Sequence, residues 1–270
     1  MSKSLKKALL GFILPLVVIV LAMMFRIELG LAALLIYIVV LLYISRVMLF
    51  SMFGSRNYSL GKTEKALKWF KRAHETKKAG VRPSVSYAYI LLKNADLPRA
   101  EEILHKVLKD NPTSQDVPYT KSILALALWK KGDLDAAATM LEDVMQTYKT
   151  TSVYGSLGYL LILKGDLEKA LQFNLEAKDY NSTDKIILDN LGQNYYLMGM
   201  YDKAREIYEP LLAKAPTFPE PYYNYGLLLE KLGEHENALD MMKKSLQCKF
   251  SFLSSITREE VETKIQELVE

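Results

Sequence analysis

The 270-residue sequence holds one cysteine, Cys248, and three histidines. A single cysteine excludes an intrachain disulfide and fits a reducing compartment. His74, His105 and His235 stand far apart, with no cysteine or second histidine at metal-ligand spacing, so no zinc site is expected. Also lacking are G-x-x-x-x-G-K-[ST], G-x-G-x-x-G and H-E-x-x-H, the patterns that cradle phosphates, dinucleotides or a catalytic zinc. The paired acids Glu101-Glu102 and Glu259-Glu260 are adjacent on helical segments, and adjacent residues on a helix do not converge on one point. These gaps predict no enzyme, no cofactor, no metal and no small-molecule substrate.

What is present is unevenly spread. Ala8 to Phe25 reads ALLGFILPLVVIVLAMMF, and after Arg26-Ile27-Glu28 comes LGLAALLIYIVVLLYI, Leu29 to Ile44, both without charge. The first run would extend about 27 Å as a helix, close to a hydrocarbon core of about 30 Å. The second lengthens through Val47–Phe50 if Arg46 snorkels to the interface. A cleaved signal peptide would have a shorter apolar run and an A-x-A-like site. The expectation is a transmembrane helical hairpin over residues 1–46, with helices about 8–25 and 29–46. A single span beside an interfacial segment is the alternative. Lys3, Lys6 and Lys7 precede the hairpin and Arg46, Arg56 and Lys62 follow it, which predicts two spans in the inner membrane with both termini cytoplasmic.

Residues 1–82 carry 14 lysines and arginines against 3 acids, a net of +11; the remainder carries 21 against 28, a net of −7. Such a basic segment would attract anionic lipid, or would simply be a solvated face that sets topology. Trp69 and Phe70 among these lysines raise nucleic-acid binding, but both fit a helical core pattern, and no nucleic-acid partner is expected.

The rest of the chain repeats itself. GKTEKA, ADLPRA, GDLDAA, GDLEKA, GMYDKA and GEHENA begin at residues 61, 95, 132, 165, 199 and 233, successive spacings of 34, 37, 33, 34 and 34. Seven residues before each phrase stands a small residue: Gly54, Ala88, Ala125, Gly158, Gly192 and Gly226. Small residues at both places let paired helices approach closely, and a glycine between helices turns the backbone through positive φ at low cost. Pro112 and Pro216 follow the second helices.

These phrases, with LDNLGQNYYLMGMYDKAREIYEPLLAKAP from Leu188 to Pro216, resemble the tetratricopeptide repeat, a 34-residue helix–turn–helix unit. The resemblance covers residues 47–250 and implies an all-α, right-handed solenoid of about six helix pairs. The 37-residue spacing implies a longer loop at Asn111–Pro118, and the link Lys149–Ser152 lacks the family's proline. After the last copy, Thr257-Arg-Glu-Glu260 has the form of a capping box. Residues 251–270 are therefore expected to end in a helix that closes the solenoid, since its last pair needs a polar-backed cover.

The family uses the concave surface, lined by first helices, to hold partner segments. Carried over residue by residue, that surface comprises Arg82, Val85 and Tyr89, then Tyr119, Ser122, Leu126 and Trp129. Next come Ser152, Gly155 and Tyr159, then Asp189, Gln193 and Tyr196, then Glu220, Tyr223 and Glu230. The tyrosine-rich lining suits an amphipathic or extended segment, although Tyr89, Tyr159, Tyr196 and Tyr223 fit core packing as well. The lysines and asparagines with which one subfamily clamps a chaperone's terminal carboxylate are largely absent. The implied function is a membrane-anchored adaptor for a protein or peptide partner, itself membrane-associated. The alternative is a structural subunit assembled through the hairpin, where Gly30, Ala32 and Ala33 would permit close helix contact.

Overall fold

Helix follows helix throughout the computed structural model, which describes residues 9–76 and 79–269. The chain divides into two units, Met1–Pro83 and Ser84–Glu270. A π-helical turn, Leu9–Ile13, leads into α1 (Leu14–Phe25), followed by α2 (Ile27–Ile44), α3 (Arg46–Ser59) and α4 (Thr63–Glu75). Then come α5 (Val81–Lys93), α6 (Leu97–Asp110), α7 (Val117–Lys130), α8 (Leu134–Met145), α9 (Thr151–Leu163) and α10 (Leu167–Tyr180). The chain ends with α11 (Lys185–Leu197), α12 (Tyr201–Ala213), α13 (Glu220–Lys231), α14 (His235–Gln247) and α15 (Arg258–Val269).

In the first unit, α1 and α2 lie against each other across Arg26, whose φ of −151° and ψ of 129° make the corner. Gly30 allows their approach: a Cβ there would sit 2.0 Å from Met23 Cγ. The Tyr37 hydroxyl donates to the Gly11 carbonyl at 3.0 Å. The outer faces are apolar and bare, with Met24 and Phe25 each 80% exposed.

The expected two-span hairpin is nevertheless overturned. Among the described residues only Ile27–Ile44 is long and apolar enough to cross a membrane, with 18 residues and a mean hydropathy of 2.6. Pro15, in the first turn of α1, has no N–H to give, and regular α-helix runs for only 12 residues from Leu14. That is about 18 Å of rise, against about 30 Å of hydrocarbon. At the other end α2 stops at Ile44: Ser45 makes a turn, and Arg46 begins α3 while its guanidinium donates to the Tyr43 carbonyl at 2.6 Å. Val47–Phe50 thus belongs to α3 and cannot lengthen a span. The multi-pass inner-membrane location with both termini cytoplasmic falls with the second span. Ala8, Lys3, Lys6 and Lys7, on which that reading also drew, lie outside the described residues.

The α3–α4 pair closes where Gly54 faces the Phe70 ring, a Cβ there lying 3.0 Å from three ring carbons. Trp69 stacks at a tilt on Phe53, with ring centroids 5.0 Å apart.

The second unit stacks five helix pairs, α5–α6 to α13–α14, and covers the last with α15. The alanine that closes each phrase is fully buried: Ala100, Ala137, Ala170, Ala204 and Ala238 all have 0% exposure. Opposite them the small residues admit large neighbours, so a Cβ on Gly192 would lie 2.7 Å from Tyr208 Cζ. The turn glycines have positive φ, as at Gly132 with 91°, and Ala95 adopts the same region at 64° in their place. A Cβ is penalised there by roughly 1–2 kcal/mol, part of which a glycine gives back in unfolded-state freedom. Ala95→Gly is expected to stabilise the protein by about 0.5–1 kcal/mol, seen as a higher urea midpoint at unchanged slope.

Where the proline is missing before α9, Thr150 caps the helix, its Oγ1 accepting from the Val153 N–H at 3.3 Å. At α15 the capping box forms: the Glu260 N–H donates to Thr257 Oγ1 at 3.1 Å, and Thr257 N–H donates back to the Glu260 carboxylate. Val261 of α15 is fully buried, and Lys264 of the same helix pairs with Glu230 of α13 at 2.9 Å.

Candidate functional site

The first helices of the second unit, α5, α7, α9, α11 and α13, share one face, and along it runs a cleft of about 670 Å³. Helical spacing puts Ser122, Leu126 and Trp129 of α7 on that face one turn apart, and Ser152, Gly155 and Tyr159 likewise on α9. Trp129 and Tyr159 meet edge to face, their centroids 5.4 Å apart at 72°. The Lys130 ammonium lies 4.2 Å from the Trp129 ring centroid, a cation–π contact.

Ten residues expected on the concave surface line this cleft: Tyr89, Tyr119, Ser122, Leu126, Trp129, Ser152, Gly155, Tyr159, Asp189 and Glu220. Gln193, Tyr196 and Tyr223 do not; Tyr196 packs instead toward Tyr201, 6.1 Å between centroids. Arg82 is exposed and belongs to the first unit. Tyr195 is partly buried against the core of the last repeats, and Tyr225 is 8% exposed within that core.

The cleft floor is polar and closed. Asn190 Nδ2 donates to the Gly155 carbonyl at 2.7 Å, and Asn224 Nδ2 donates to Asp189 Oδ1 at 3.1 Å. These two asparagines each commit an amide N–H to joining one repeat to the next. Tyr208, fully buried, donates its hydroxyl to the Asp189 carbonyl at 3.3 Å. Burial pushes the Asp189 carboxyl up to about 8, against the pull of the Asn224 hydrogen bond, so it is protonated at neutral pH. Burial likewise pushes the Tyr159 phenol up to about 12. At the rim, burial raises the Glu220 carboxyl, opposed by a backbone N–H of Ser255, and lowers the Lys130 ammonium, opposed by Glu220 and Glu260.

One wall of the cleft is not a repeat helix. The connection between α14 and α15 runs along it, so Lys249, Ser251, Leu253, Ser254 and Ser255 are among the lining residues. Phe252 N–H donates to the Lys93 carbonyl at the end of α5, at 3.4 Å. Sequence reasoning assigned these residues to the terminal cap and gave them no place in the cleft. A signal was available, because Phe250, Phe252, Leu253 and Ile256 make an unusually apolar linker, and apolar linkers need a surface to lie on. No group of three or more His, Cys, Asp or Glu side chains able to hold a metal occurs among the described residues.

A family model described as tetratricopeptide repeat matches residues 88–146, 124–184 and 190–249, more than half of the chain. BBSome complex member BBS4 of Bos taurus is 25% identical over 144 residues, which cover 53% of this chain and 27% of that protein. TPR repeat-containing protein MJ1428 of Methanocaldococcus jannaschii is 27% identical over 164 residues, 60% of this chain and 28% of that one. The chain therefore spans little more than a quarter of the length of these curated relatives. Among solved structures, a tetratricopeptide repeat protein from Parabacteroides merdae superposes with a TM-score of 0.64 at 13% identity, covering 92% of this chain and 96% of its own. The Cut9–Hcn1 assembly of APC/C gives 0.65 at 14% identity over 83% of this chain and 43% of that one. At such identities the likeness is one of fold.

Proposed function

The chain belongs to the tetratricopeptide-repeat family, and on that premise we propose that it is a scaffold holding an extended segment of another protein in the cleft of its second unit. The observation that carries this reading is the half-buried Trp129–Tyr159 pair at the centre of a cleft that five repeats share. Large aromatics with a polar tip are the anchors of protein interfaces, where truncating one typically costs 2 kcal/mol or more of binding. The floor favours the same role: Asn224 already bonds the Asp189 carboxyl and Asn190 the Gly155 carbonyl, so these groups tie the repeats together beneath the aromatic pair.

Trp129→Ala and Tyr159→Ala are each expected to weaken partner capture by the full-length protein at least 30-fold, with the helical circular dichroism unchanged. Crosslinking from position 159 in cells, followed by mass spectrometry, identifies the partner on which to measure this. Capture that survives both substitutions sinks the assignment of the cleft.

The exposed apolar helix α2 supports a further element of the proposal, attachment of the scaffold to a membrane through Ile27–Ile44, of which 6% is buried. Lys65, Lys68, Lys71 and Arg72 are exposed on α4 and would add contact with anionic headgroups. Retention of the full chain in the pellet after alkaline extraction is the expected result, and binding to anionic vesicles should weaken with salt. Release into the alkaline supernatant removes this element and leaves the cleft untouched.

A further inference from the structure

The linker between α14 and α15 meets the cleft in an unusual way. The Ser254 carbonyl accepts from Lys130 Nζ of α7 at 2.8 Å, and the Ser255 N–H donates to Glu220 Oε1 of α13 at 2.8 Å. These two groups belong to one peptide unit. A cation on one repeat and a carboxylate three repeats later thus grip the two poles of a single amide. Both side chains are half-buried, and burial disfavours the charge on each. An ionised group in such a place needs a hydrogen-bonding partner, and charge-assisted bonds to a backbone amide supply it. The grip reads main chain and not side chain, because neither contact depends on which residue carries the amide.

Around this point the strand offers little that would fix it permanently. None of residues 249–256 is buried. The Lys130 ammonium lies 5.5 Å from the Phe252 ring centroid, and Ser255 also hydrogen-bonds Tyr159. Toward the far end of the cleft, Phe252 N–H reaches the Lys93 carbonyl at 3.4 Å. Regular secondary structure is absent between Cys248 and Thr257.

We propose that Lys130 and Glu220 form the main-chain recognition site of the cleft, that its ligand is an extended segment with an unpaired amide following an aromatic residue, and that residues 249–256 are a tethered occupant which the ligand must displace. This deepens the reading of the cleft as a partner site and rests on it. An extended segment fits because helix and sheet consume the amide groups that the grip requires. Tethering sets the toll. A strand joined at both ends competes at an effective concentration of about 1 mM, so with an untethered Kd of about 0.1 mM for the strand itself, any ligand binds roughly tenfold more weakly than to the open cleft.

The test uses the full chain and a fluorescein-labelled peptide of sequence KFSFLSSI, the strand itself supplied in trans. Ser255→Pro removes the N–H that Glu220 accepts and frees the cleft while leaving the grip intact. This variant is expected to bind the probe at least tenfold more tightly than the parent. Lys130→Met in the same background should abolish that gain, and so should N-methylation of the probe at its last serine, the counterpart of Ser255. Equal affinity of parent and Ser255→Pro, or binding indifferent to N-methylation, overturns the inference. Should Ser255→Pro alter the helical signal, hydrogen exchange of the parent decides: a saturating probe must strip protection from 249–256, and unchanged protection is the contrary result. Failure here is separable from failure of the cleft itself. If Trp129→Ala and Tyr159→Ala destroy partner capture while Ser255→Pro changes nothing, the cleft stands and only its tethered occupant is lost.

Discussion

The folded state is expected to lose stability steadily as pH rises from about 4 to about 8, and Asp189→Asn should remove most of that loss. The cause is the raised Asp189 carboxyl, whose ordinary value of 3.8 is carried by burial to about 8. Between those two values the unfolded chain is deprotonated at this position and the folded chain keeps its proton. The folded state therefore binds more protons, and unfolding grows easier with rising pH, by about 1.4 kcal/mol per pH unit at the steepest. The contribution is complete below the unfolded value and gone above the folded one. Glu220, also raised by burial, slopes in the same direction and accounts for what remains in the variant. The asparagine keeps the acceptor that Asn224 Nδ2 uses and carries no titrating proton. Urea midpoints of parent and variant at intervals from pH 4 to pH 8 check this; parallel curves would show that Asp189 is ionised in place.

Gly192→Leu should be nearly as costly, about 3 kcal/mol. Even a Cβ at that position would stand 2.7 Å from Cζ and 2.8 Å from Cε2 of Tyr208. The ring cannot retreat, because Tyr208 is fully buried and its hydroxyl is tied to the Asp189 carbonyl. Overpacking against a fixed neighbour typically costs 1–3 kcal/mol, and the larger side chain belongs at the upper end. Gly155→Ala is the contrast. Its Cβ would lie 3.1 Å from Ile186 Cγ2, and Ile186 is 50% exposed and free to rotate. There the gain in helix propensity, about 1 kcal/mol, should roughly cancel the contact. Equal losses at the two glycines would contradict the steric account.

Gly192, and Gly132 with its φ of 91°, show why the repeat could be read from letters. Close helix approach and a positive-φ turn are demands made at single positions, and only a few residue types meet them, so the demand appears directly as Gly or Ala at a fixed period. The family resemblance rested on those residues over 47–250, and the matched family model covers 88–184 and 190–249, leaving the first copy unmatched. Membrane crossing was read from a different quantity, the count of uncharged letters, and that count is blind to where a helix restarts. Pro15 and Ser45 each interrupt what composition joins. Ten of the sixteen expected groove residues lie on one cleft because helical periodicity decides which face a residue takes. Gln193, Tyr196 and Tyr223 fall outside because the extent of a cleft depends on what covers its ends. The apolar letters of 249–256 signalled that the linker lies on a surface but not on which one: nothing within a linker announces a neighbour 159 residues earlier in the chain.

That separation bears on how the molecule comes apart. A stack of repeats makes contacts chiefly between neighbours, so its two ends ordinarily fray without reference to each other. Here Phe252 bonds to Lys93, and Lys130 and Glu220 hold the amide between them, so the last repeat is stapled back upon the first helices of the unit. Contacts of such long sequence separation raise contact order, delay the completion of folding and require the intervening loop to be closed before they repay its entropy. While 249–256 is seated, opening the C-terminal end would thus be felt at α5; once a ligand displaces it, the two ends would fray independently.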